Sequence, residues 1–105
     1  MRILTRCKPY AYGYELEALE LLPCGSATKD DITFLIIRYK SLDPESMAGD
    51  HWYLTAQEAL EGAEYYHKIK PSDWYLEGYR SRNDPIEILI NKAIKYHREE
   101  TGYIK

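Results

Sequence analysis

The sequence predicts an α+β fold in two layers: a three- to four-stranded, mainly antiparallel sheet with two amphipathic helices on one face. Three observations carry this. Strand-like apolar patterning dominates the first half of the chain. Helix start signals lie in the second half, at Thr55 and at Asp84. Strands grouped ahead of helices suit an antiparallel sheet covered on one side. The 105 residues fit a single domain, 1–105, with enough chain to bury a core without a disulfide or metal staple.

The elements follow in chain order. Residues 2–7 read as a short strand, or as the start of the next one. From Tyr10 to Ala18 the chain alternates, placing Tyr10, Tyr12, Tyr14, Leu16 and Ala18 on one face and Glu15 and Glu17 on the other. Pro9 cannot donate to a ladder, so this strand is expected at a sheet edge. Pro23-Cys24-Gly25-Ser26 reads as a loop. Ile32–Tyr39 is apolar on both faces at its middle, which marks a central strand. The polar stretch from Leu42 to Asp50 reads as a long connection, and His51–Leu54 as a short strand.

Thr55-Ala56-Gln57-Glu58 is a capping box, in which the Thr55 hydroxyl accepts from the Glu58 N–H. The helix it opens is expected to run to about Lys68 and to turn Ala56, Ala59, Leu60, Ala63, Tyr66 and Ile69 inward, with Pro71 stopping it. Trp74–Tyr79 reads as a further strand, which a crossover connection would make parallel to a neighbour. Asp84 and Pro85 open the last helix, where Ile86, Leu89, Ile90, Ala93, Ile94 and His97 recur at helical spacing and Gly102 is placed to end it.

Composition narrows the function classes. No run of about 18 apolar residues is present, so no transmembrane helix is expected. Charges in the first nine residues interrupt any signal-peptide core, which points to a cytoplasmic protein. Cys7 and Cys24 lack metal-ligand spacing and read as free thiols of a reducing compartment. The net charge of −3 weighs against a nucleic-acid binder, because such proteins carry basic surfaces. No phosphate-binding glycine loop, nucleophile elbow or zinc motif occurs, so no catalytic residue, metal site or cofactor is predicted.

The surplus of tyrosine, eleven against two tryptophans and one phenylalanine, is the main positive signal. Tyrosine gives large contact area at low entropic cost, which suits binding surfaces. The acids Glu58, Glu61 and Glu64 form a slowly drifting stripe on the first helix, continued by Asp43, Glu45 and Asp50. Together these predict a small non-catalytic cytosolic protein, of bacterial or phage type, acting as an inhibitor, immunity-type protein or regulatory adaptor. Its partner would be a protein with a basic surface. The expected contact residues are Tyr10, Tyr12, Tyr14, Trp52, Tyr53, Glu58, Glu61 and Glu64. A second reading is a small hydrolase or nuclease using His51, His67, Lys68, Tyr79, Arg80 or Arg82 as acid–base and phosphate-holding groups. A third is a homodimer pairing the sheet edges expected at Pro9–Ala18.

Overall fold

The computed structural model describes residues 2–7, 15–25, 32–78 and 84–101, with side chains of the last helix described through residue 95. The chain forms β1 (Ile3–Arg6), β2 (Ala18–Cys24), β3 (Thr33–Leu42), β4 (Glu45–Tyr53), α1 (Ala56–His67), a short 3₁₀ turn (Pro71–Asp73), β5 (Tyr75–Leu76) and α2 (Ile86–Thr101). All five strands join one sheet in the order β4-β3-β2-β1-β5, and every pairing is antiparallel. The α+β class holds, with five strands among the described residues where three or four were predicted. No pairing is parallel among the described residues, because β5 returns to the far edge of the sheet beside β1.

Cross-strand register sorts the side chains. Ile3, Leu21, Ile36 and His51 lie in one row, and Thr5, Leu19, Arg38 and Gly49 in the next. This is the helix-covered face. Its apolar members pack with Ala59 and Ala63 of α1, with Ile69, Trp74 and Leu76, and with Ile86, Leu89, Ile90 and Ala93 of α2. α1 lies over β3 and β4, and α2 over β1, β2 and β5. The two helices therefore share one face, as their apolar stripes require.

Several predicted boundaries move. Of the alternating segment, residues 10–14 lie outside the described residues, Glu15–Glu17 are not strand, and β2 begins at Ala18. Pro23 and Cys24 belong to β2, pairing with Phe34 and Thr33. β1 has already ended opposite Leu21, so one side of Pro23 needs no ladder partner. β2 is interior, and among the described residues the sheet edges are β4 and β5; most of the edge predicted at 9–18 lies outside the described residues. The stretch 42–50 is a two-residue turn, Asp43 and Pro44 joined by a cis peptide bond, followed by most of β4. An edge strand exposed on both faces carries no apolar alternation, so its composition resembles a loop.

The helix expectations largely hold. Thr55 caps α1 by accepting from the Glu58 N–H at 3.1 Å. Pro71 does not stop this helix. Lys68 does, in the left-handed conformation (φ 58°), its N–H bonding back to the Ala63 and Glu64 carbonyls. Tyr66, expected inside, is exposed, and His67 is buried in its place. α2 opens with the Pro85 carbonyl accepting from Ile88 and Leu89, while Ile86, Leu89, Ile90 and Ala93 are buried. The His97 side chain and Gly102 lie outside the described residues.

The face without helices still buries Leu4, Ala18, Glu20, Ile37 and Tyr39. Arg2 explains how. Its guanidinium lies 5.4 Å from the Tyr39 ring centre and bonds Glu20 (3.2 Å), Glu45 (3.0 Å) and Glu77 (3.3 Å). Three strand spacings of about 4.8 Å separate β1 from β4 in a flat sheet. A direct contact between Arg2 and Glu45 therefore means that the sheet curls toward this face. The Tyr39 hydroxyl donates to Glu20 at 2.6 Å, so the buried carboxylate has two donors. Burial, and then the bond to Glu20, push the Tyr39 hydroxyl up to about 12.

Candidate binding surface and pocket

Between Lys40 and Lys68 the chain contains no lysine or arginine and six acids: Asp43, Glu45, Asp50, Glu58, Glu61 and Glu64. All six are exposed. They sit on β4, on the turn before it and on α1, which together form one end of the sheet. Large hydrophobic groups crowd the same elements. Of the six exposed among the described residues, Met47, Trp52, Leu54, Tyr65 and Tyr66 fall here and only Ile88 elsewhere. Trp52 is 55% exposed and Tyr65 80%. Tyr65 and Tyr66 meet edge to face with ring centres 4.8 Å apart, a favoured aromatic geometry. Gln57 donates to Glu61 at 3.1 Å along the helix surface. The result is an edge rich in carboxylates and aromatic rings, with no strand among the described residues pairing with the outer side of β4.

The residues predicted to bind do not share one surface. Glu58, Glu61 and Glu64 face solvent on α1 as expected. Trp52 and Tyr53 are consecutive in β4 and so project to opposite faces: Trp52 pairs with Leu35 on the open face, and Tyr53 with Phe34 on the helix face. Tyr10, Tyr12 and Tyr14 lie outside the described residues. Tyr65, the most exposed of the described large apolar residues, was not predicted. Its signal was its position two residues after the inner Ala63, about 200° around the helix and so on the outer side.

Behind this edge lies a pocket of about 130 Å³ between α1 and the β3–β4 hairpin. Ile36 and Ala63 give it apolar walls. Arg38, His51, Tyr53, Tyr66 and His67 supply its polar groups, with Gly62 completing the lining. His51 and Tyr53 are two residues apart on β4, so they share a face, and their ring centres lie 4.7 Å apart. Two glycines clear the space. A Cβ at Gly49 would sit 2.5 Å from Arg38 Nη2, and one at Gly62 would overlap the Tyr53 hydroxyl. Burial pushes the Tyr53 hydroxyl up, with Tyr66 adding to the effect and Arg38 opposing it. Burial also pulls His67 down, and Arg38 adds to that shift, so the imidazole is neutral near pH 7.

Sequence reasoning named His51 and His67 but missed Arg38, which meets His51 through the β3–β4 register and His67 through the packing of α1 on the sheet. Lys68 is the helix cap and does not line the pocket, and Tyr79, Arg80 and Arg82 lie outside the described residues. Cys7 and Cys24 are free thiols, and burial raises both, Cys7 to about 11. Among the described residues no three His, Cys, Asp or Glu side chains form a metal-ligand group, and no helix is long and apolar enough to cross a membrane. No family model, curated protein or solved structure matches the chain.

Proposed function

We propose that this chain is a non-catalytic binding protein that modulates another protein by covering a basic surface on it, in the manner of an inhibitor or immunity-type protein of the cytoplasm. One observation carries the reading: the β4–α1 edge carries six exposed acids, of which Glu45 is bonded to Arg2, has no lysine or arginine from 41 to 67, and exposes Tyr65 and Tyr66 on α1, with Trp52 exposed on the open face of β4. Aromatic anchors supply the desolvated centre of an interface, and a single-sign charge field steers an oppositely charged partner toward it. The area suffices. An interface of standard size takes about 800 Å² per partner, roughly an eighth of this chain's 6790 Å² surface. The free thiols accord with a reducing compartment.

The test places a photo-crosslinking residue at Tyr65 or, as a control, at Asn91 on the exposed side of α2. The Tyr65 probe should trap a defined partner with a basic surface in cell extract. The Asn91 probe should not trap it. Reversing Glu58, Glu61 and Glu64 to lysine should abolish the product, and added salt should weaken it because exposed charges are screened. A product that survives charge reversal, or that forms equally from Asn91, refutes the reading. So does a crosslink only to a second copy, which would instead favour pairing along the open β4 edge.

A further inference from the structure

We propose that the pocket between α1 and the β3–β4 hairpin is a binding site for a terminal phosphate group, with Arg38 as its anchoring fork. This goes beyond the binding surface described above and shares only Tyr66 with it.

The strongest sign is a contrast in charge. β4 and α1 carry carboxylates along their exposed surfaces, yet no carboxylate lines the pocket they enclose. Its polar groups are a guanidinium, two imidazoles and two phenols. Arg38 is half-buried and forms no ion pair with any carboxylate among the described residues. A cation partly removed from water without a carboxylate partner is a ready anion holder, and the guanidinium fork matches phosphate oxygens. The backbone accommodates this arrangement. Gly49 lies directly beneath the guanidinium and Gly62 beneath the Tyr53 hydroxyl, in positions where any Cβ would collide.

Size and geometry select the ligand. The cavity of about 130 Å³ is well below the roughly 300–1,000 Å³ of sites that enclose a whole small molecule. It takes one compact group. Donors come from three elements: Arg38 from β3, His51 and Tyr53 from β4, Tyr66 and His67 from α1. Surrounding donors suit a tetrahedral oxyanion better than a planar carboxylate, which a single fork satisfies. Ile36 and Ala63 lower the local dielectric and strengthen each of these contacts.

The full chain is titrated with inorganic phosphate at low salt and followed by NMR at the Arg38 Nε–H and the His51 ring. Saturable shifts are expected, with a dissociation constant near about 1 mM. Sulfate should compete, acetate at equal concentration should not, and dimethyl phosphate should bind more weakly because two ester groups exceed the cavity. Arg38→Gln should weaken binding at least about tenfold, the range for a hydrogen bond to a charged group. Arg38→Lys keeps the charge and the fold while losing the fork, and should bind with intermediate strength. Reversing Glu58, Glu61 and Glu64 should leave phosphate binding intact, which separates this site from the edge surface. The proposal is overturned if wild type gives no saturable shift up to about 50 mM phosphate, far above the expected constant. It is also overturned if acetate or dimethyl phosphate binds as tightly as phosphate, or if folded Arg38→Gln and Arg38→Lys bind as wild type does.

Discussion

Replacing Arg2 by methionine should destabilise the protein by about 3 kcal/mol, because one guanidinium holds together the curled face of the sheet. The magnitude follows from its three ion pairs. Glu45 and Glu77 are about half exposed, and such surface pairs contribute at most about 0–1 kcal/mol each. Glu20 is different, with a side chain only 6% exposed. Removing the partner of a buried charge costs about 3–5 kcal/mol when burial is complete. Arg2 itself is 29% exposed and Tyr39 still donates to Glu20, so a loss of about 2–3 kcal/mol from this pair is expected. For a chain of this length the total corresponds to a fall of roughly 12 °C in midpoint. Urea unfolding followed by circular dichroism measures it. Glu77→Gln should cost under about 1 kcal/mol. The double variant Arg2→Met/Glu20→Met should be more stable than Arg2→Met alone, since an uncompensated charge no longer remains buried. An Arg2→Met protein within about 0.5 kcal/mol of wild type, or a double variant whose losses simply add, would refute the reasoning.

Other outcomes follow from single contacts. Thr55→Ala removes the side-chain acceptor that caps α1 and should cost about 1 kcal/mol in the same unfolding assay. Gly62→Ala should lower stability by about 1 kcal/mol, although alanine is the better helix former, because the new Cβ would lie 2.6 Å from Tyr53 Cζ; in a Tyr53→Ala background the same change should stabilise. Cys7 is raised from 9.0 to about 11 and Tyr39 from 10.0 to about 12 in the folded state. A raised folded value gives stability that is whole below the unfolded value and is lost as pH climbs through the folded one. Stability should therefore fall progressively from pH 9 to 12, and Tyr39→Phe should flatten the portion above pH 10.

How much of this could be read from the sequence depended on whether the signal was local. Thr55 and Asp84-Pro85 announced both helices because a cap is written within four residues. Ile32–Tyr39 announced an interior strand because burial on both faces leaves an unbroken apolar run. β2 was harder. Its centre holds Glu20, whose burial is compensated by Arg2, eighteen positions away, and by Tyr39, nineteen positions away. β4 was harder still, since a strand at the edge with both faces wet needs no apolar period. The inward turn of His67 and the outward turn of Tyr66 shift the predicted stripe at the end of α1, next to the left-handed cap at Lys68. The acid stripe Glu58, Glu61 and Glu64 was legible from spacing alone. The pocket was not, because Arg38 meets His51 and Tyr53 through strand register and His67 through helix packing.

The central claim is that the acidic, aromatic β4–α1 edge is the surface that meets a basic partner. Photo-crosslinking from Tyr65, with and without reversal of Glu58, Glu61 and Glu64 to lysine, tests it most directly. A single partner trapped by the otherwise native protein, and lost on charge reversal while the fold is retained, is the result expected. A partner trapped equally well by the charge-reversed protein, or equally from Asn91 on α2, would contradict the account.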